Sequence, residues 1–123
     1  MFKVIDKGAK SHLPFSPAIE VGGFVYVSGQ ASVDAETGAI IEDSFEGEMK
    51  RSFDNLRAIL KAADCDFSQV INIRAYVNHQ ADLAAYNDLY KQIFSAPFPT
   101  RTTTIGGLGT VLKFEVDCVA FKG

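Results

Sequence analysis

The strongest constraint on the fold is an apolar stripe at helical spacing that is followed closely by a run of period two. Phe45, Met49, Phe53, Leu56, Leu60 and Ala63 recur at intervals of three and four, so they share one face of a helix. Asp43 or Ser44 can cap its start, and Asp43 and Glu46 have capping-box spacing. From Val70 to Asn78 the period changes. Ile71, Ile73, Ala75 and Val77 fall on one side and Asn72, Arg74, Tyr76 and Asn78 on the other, which predicts a half-buried strand. Each element has one face to bury, so the helix is expected to lie on a sheet that contains the strand.

The flanking segments supply the rest of that sheet. Residues 3 to 6 read as a short strand, and Ser11 to Pro17 is a loop stiffened by two prolines that carries the aromatic Phe15. Ala18 to Val21, Gly22-Gly23 and Phe24 to Gln30 read as a hairpin, because paired glycines supply the positive φ that a tight turn needs. Asp34 to Gly38 is a further turn, and Ile40-Ile41 can add a few extended residues. Asp82 is placed to cap a second helix with its stripe on Leu83, Tyr86, Leu89 or Tyr90, and Ile93, ending at Pro97. The β-branched run Thr102 to Ile105 predicts a strand with Arg101 at its mouth, Gly106 to Gly109 reads as a hairpin turn, and Lys113 to Phe121 as the last strand. The expected architecture is a single α+β domain over residues 1–123, in two layers. A mixed sheet of about six strands has two helices on one face.

If both helices cover one face, strand parity leaves Phe24, Tyr26, Ser28, Arg74, Tyr76, Arg101, Thr103, Glu115, Val119 and Phe121 on the other. That mixture is too apolar for a solvated face and too polar for a core, so a symmetric oligomer is expected to bury it. Arg101 and Glu115 are its chemically informative pair. A guanidinium fork matches a carboxylate bidentately, and a carboxylate that it does not neutralise can position or deprotonate a water. Either a structural salt bridge or a hydrolytic site for a small acid fits these two residue types alone.

Charge and composition narrow the classes further. A net charge of −3 with pI near 5.3, and 12 scattered Lys and Arg, offer no basic field for a nucleic acid. No apolar run is long enough to span a bilayer, and the start Met-Phe-Lys-Val-Ile-Asp breaks into charge at once. These features predict a cytoplasmic protein with neither membrane anchor nor signal peptide. Cys65 and Cys118 stand apart from each other and from His12 and His79, so buried free thiols are expected and no metal site is.

Several separated motifs then resemble one family in order and register. They are Pro-Phe-Ser-Pro-Ala at 14–18, Val-Ser-Gly-Gln at 27–30, Ser-Phe-Asp-Asn-Leu at 52–56, Tyr86-Asn87, Phe-Pro-Thr-Arg at 98–101 and Phe-Glu-Val-Asp-Cys-Val-Ala at 114–120. Over essentially its whole length the chain resembles the reactive intermediate deaminase (Rid, or YjgF) family, often labelled endoribonuclease L-PSP. The resemblance implies a chorismate-mutase-like homotrimer with helices outside, sheets around a central barrel and ligand sites between subunits. It also implies cofactor-free hydrolysis of enamines and imines such as 2-aminoacrylate and 2-aminocrotonate to 2-keto acids and ammonia. By the same resemblance Arg101 would clamp the substrate carboxylate, Glu115 would activate water, and Phe15, Ser28, Gly29, Asn87 and Thr103 would line the pocket. The chain departs from the family pattern at Phe15, where the family has tyrosine, and at Thr103, where it has cysteine. A third departure is the shorter turn at Leu108-Gly109. A trimeric small-carboxylate binding protein without turnover is the alternative, and a ribonuclease fits the acidic charge badly.

Overall fold

Strands β1 (Lys3–Ile5), β2 (Ala18–Val21) and β3 (Phe24–Ala31), helix α1 (Phe45–Ala62), strand β4 (Val70–Val77), helix α2 (Leu83–Ile93) and strands β5 (Thr100–Ile105) and β6 (Phe114–Phe121) form the computed structural model, which describes residues 1–123. The strands make one sheet in the order β1-β2-β3-β6-β4-β5, antiparallel except where β4 and β5 run parallel. This is the α+β mixed sheet of six strands that the sequence predicts.

Helix α1 forms where its stripe requires. Ser44 caps it, its Oγ accepting the Gly47 N–H at 3.1 Å. The second half of the expected capping box differs: Glu48, not Glu46, reaches back to accept the Asp43 N–H at 3.2 Å. Phe45, Met49, Phe53, Leu56, Leu60 and Ala63 are all buried. At about 1.5–3 kcal/mol for each large apolar side chain, that stripe dominates the attachment of α1 to the sheet. It meets Val25 and Val27 of β3, Ile73, Ala75 and Val77 of β4, and Phe114, Val116, Cys118 and Ala120 of β6 in one core cluster. Phe53 is the aromatic hub, with ring centroids 5.7–6.0 Å from Phe114, Phe67 and Phe94. Asn55, also on α1, donates from Nδ2 to the carbonyls of Ala31 and Val33 at 3.1 Å each and ties the end of β3 down.

Four local expectations are corrected. The glycine turn after β5 is not a hairpin, because β6 inserts between β3 and β4, and the α2 crossover makes β5 a parallel edge strand beside β4. Ile71 is exposed rather than buried, because the β4–β6 register shifts between Val70 and Asn72, which turns Val70 inward and Ile71 out. Asp82 makes no side-chain cap to α2, since a short 3₁₀ turn over Gln80–Asp82 leads into that helix. Ile40 forms only an isolated bridge with Val33 rather than a strand.

The most consequential correction concerns faces. Parallel pairing sets Arg101 beside Ile73 and Thr103 beside Ala75. Both partners are buried under the helices, so Arg101 and Thr103 project from the helix-covered side and not from the open face. Parity on β5 cannot be read from its own sequence, where the threonine run gives no apolar alternation. The open face does carry the aromatic patch that the sequence suggests, with Phe24 and Phe121 rings 4.7 Å apart and Tyr26 beside them.

Candidate functional site

Arg101 sits on an edge strand, yet its side chain is ordered by aromatic stacking. Its Cζ lies 5.0 Å from the Tyr86 ring centroid and 4.8 Å from that of Tyr90, both on α2. Tyr86 and Tyr90 are four residues apart and therefore neighbours on the helix surface, so α2 presents a two-ring platform to the guanidinium. Burial raises the Tyr86 phenol, with the Thr103 hydrogen bond and then Arg101 acting the other way. Burial also pushes Tyr90 up to about 12. Both rings are neutral at physiological pH and hold the cation through their faces. The guanidinium makes no ion pair within the chain, unlike Arg51, Arg74, Lys113 and Lys122. Its polar edge is free for an external anion. A shallow cleft of about 280 Å³ opens beside it, lined by Asn87, Tyr90, Lys91, Phe98 and Pro99. Thr103 shares the face but not the cleft lining, because its Oγ1 lies 2.9 Å from the Tyr86 hydroxyl.

Glu115 belongs to a different cleft, of about 600 Å³, on the open face, with Phe15, Ser28, Gly29 and Asp117 in its walls. The β3–β6 pairing breaks between Val27 and Gln30, so Ser28 and Gly29 form a bulge directly beside the Glu115 carboxylate. Glycine matters there: a Cβ on residue 29 would stand 3.0 Å from Glu115 Oε2. Ser28 closes the wall by donating its hydroxyl to the Ser16 carbonyl at 2.6 Å and its N–H to the Pro17 carbonyl at 2.9 Å. These bonds hold the proline loop, and Phe15 with it, against the cleft. Glu115 has no cation partner. Burial raises its carboxyl above the ordinary glutamate range, and Asp117 adds to the rise. No group of three or more His, Cys, Asp and Glu is placed to hold a metal ion.

The structure therefore brings Phe15, Ser28, Gly29 and Glu115 together, and separately Asn87 and Arg101, but it sets the two groups on opposite faces of the sheet. Arg101 and Glu115 are not a salt bridge. Their chain cannot present both to one small molecule, because the sheet lies between them.

Residues 7–122 match the family model described as endoribonuclease L-PSP. The chain belongs to this family, the Rid or YjgF family. Across 118 residues it is 31% identical to a RutC family protein of Pyrococcus abyssi, covering 95% of this chain and 93% of that one. It is 32% identical over 111 residues to the human 2-iminobutanoate/2-iminopropanoate deaminase, covering 89% and 81%. Among solved structures it is similar to Escherichia coli TdcF with bound serine, at 28% identity and a TM-score of 0.86, over 98% of this chain and 99% of that one.

For this Rid-family chain, sequence reasoning missed the platform under the arginine and the acid beside the glutamate. Tyr86 and Tyr90 read as a core stripe, and only their i, i+4 spacing next to an unpaired arginine hints at more. Asp117 shares strand parity with Glu115, which was a legible signal, but nothing in the sequence says which cation it pairs with.

Proposed function

We propose that this chain hydrolyses small 2-imino acids, and the enamines that tautomerise to them, to 2-keto acids and ammonia at a site shared by two copies of the chain. One observation carries the proposal: an arginine and a glutamate, each without an ionic partner, face outward from opposite sides of one sheet. A closed ring of copies, a homotrimer by family resemblance, sets the Arg101 side of one chain against the open face of the next. Burial of the exposed Phe24, Tyr26 and Phe121 patch would favour that association. Relatives named as imine deaminases and a similar structure holding serine, an amino acid, support the substrate class.

Arg101, braced on Tyr86 and Tyr90, takes the substrate carboxylate through two N–H donors, with Asn87 beside it. Glu115 of the adjacent copy takes a proton from water as the oxygen bonds to the imine carbon, and the C=N electron pair moves onto nitrogen. The same proton then goes to nitrogen. Glu115 then takes the hydroxyl proton and passes it to the amino nitrogen, so that C=O reforms as the C–N bond breaks and the nitrogen leaves as ammonia. A carboxyl raised by burial suits both directions of transfer. The imine carbon is already electrophilic, so this route uses no cofactor. Phe15, Ser28 and Gly29 shape the wall around the attacking water, and Thr103 acts through Tyr86 to hold the platform.

The test is a threonine dehydratase reaction run with semicarbazide, which traps the released imine. Wild type should lower semicarbazone formation and Arg101→Ala should not. Equal effects of the two proteins would refute the site. A non-catalytic binding protein using the same clamp is the second reading, favoured by Phe15, which lacks the hydroxyl of the family's tyrosine. Binding of 2-ketobutyrate with no competition against semicarbazide would select it.

A further inference from the structure

Resting on that site, we propose that its preferred substrates are 2-imino acids with a second carboxylate at the end of the side chain, and that Arg74 is the residue that selects them. Arg74 stands on β4 opposite Asp117 of β6 and lines the same cleft as Glu115. Its Nε donates to Asp117 Oδ1 at 3.0 Å. That bond occupies one edge of the guanidinium and leaves the edge formed by its two terminal nitrogens unused. The side chain of Arg74 is 63% exposed, whereas that of Asp117 is 15% exposed. The acid is therefore the fixed partner, and the arginine's free edge is what the cleft offers to a ligand. Lys10 adds a second positive charge on the cleft wall.

The spacing fits a side chain of one or two methylenes. Asp117 is two residues from Glu115 along β6, a separation of about 7 Å on one face of a strand. With the imine carbon at Glu115 and the first carboxylate on Arg101 of the adjacent copy, a short dicarboxylic chain reaches the free edge of Arg74. A methyl or ethyl side chain would leave that edge without an anionic partner.

Calorimetric titration of the full-length protein with 2-oxoglutarate and with 2-oxobutyrate tests this without needing turnover. The wild type should bind 2-oxoglutarate tighter, by on the order of tenfold for one charge-assisted pair. Arg74→Met should bring the ratio of the two affinities close to unity, and Arg74→Lys, which keeps the charge but not the fork, should fall between. Arg101→Ala should weaken both ligands. A wild-type ratio near unity, or an Arg74→Met loss shared equally by both ligands, overturns the selectivity while leaving the deaminase site standing. Failure of the wild type to bind either ligand overturns both.

Discussion

Mixing two inactive variants should restore activity. On the proposed mechanism, Arg101→Ala removes the carboxylate clamp, and Glu115→Gln removes the group that takes the water's proton. Loss of a desolvated charge partner costs about 2–5 kcal/mol, so each variant alone should retain no more than a few per cent of the wild-type rate. Unfolded together in equal amounts and refolded, they should assemble into mixed copies of the proposed ring. A site is intact when its guanidinium comes from the Glu115→Gln chain and its carboxylate from the Arg101→Ala chain. Each condition is met half the time, so about a quarter of sites should work, provided that every site draws on two neighbouring copies. The semicarbazide competition assay reads the rate. Plotted against the fraction of one variant, it should rise to a maximum at the equal mixture and fall symmetrically, while variants mixed without unfolding should stay inactive. The expectation follows from the β4–β5 register, which sets Arg101 beside buried Ile73 while Glu115 projects into the open-face cleft. Inactivity at every ratio would refute the shared site.

Two further outcomes follow from buried and half-buried carboxylates. Glu48 is fully buried and accepts the Lys113 N–H at 2.9 Å, the Lys113 Nζ at 3.1 Å and the Asp43 N–H at 3.2 Å. Glu48→Ala strands those donors and should destabilise by about 3–5 kcal/mol, read as a shift in the urea midpoint at fixed protein concentration and unchanged slope. A loss below about 1 kcal/mol would show that water replaces the carboxylate. For Glu115, the folded state binds its proton more tightly than the unfolded chain does. The stability linked to that proton is present below the unfolded value and lost as pH rises through the folded one. Glu115→Gln should therefore be more stable than wild type at neutral pH, with the gap narrowing as the solution is acidified. A gap independent of pH would contradict the raised carboxyl.

The two helices, the extents of the six strands to within two residues and the core stripe were legible because local periodicity and turn chemistry record them. Phe45 to Ala63 repeats as a helix must, and Phe114 to Ala120 alternates as a half-buried strand must. The site residues were legible as residue types and through family register, but their grouping was not. Ile71 was misplaced by a register shift that no sequence period records. The Gly106 to Gly109 turn looked like a hairpin because turn chemistry fixes the bend and not the partner.

Sequence by itself determined that this chain must lay two amphipathic helices on one side of a mixed sheet, and that Arg101 and Glu115 are its candidate anchor and base. Only the tertiary structure decided that the two face opposite ways. Strand period is a property of one segment, whereas the face on which an unpatterned strand such as Thr100–Ile105 displays its arginine is set by the neighbour it pairs with. Here that neighbour is β4, reached through a helix and fixed by long-range hydrogen bonds.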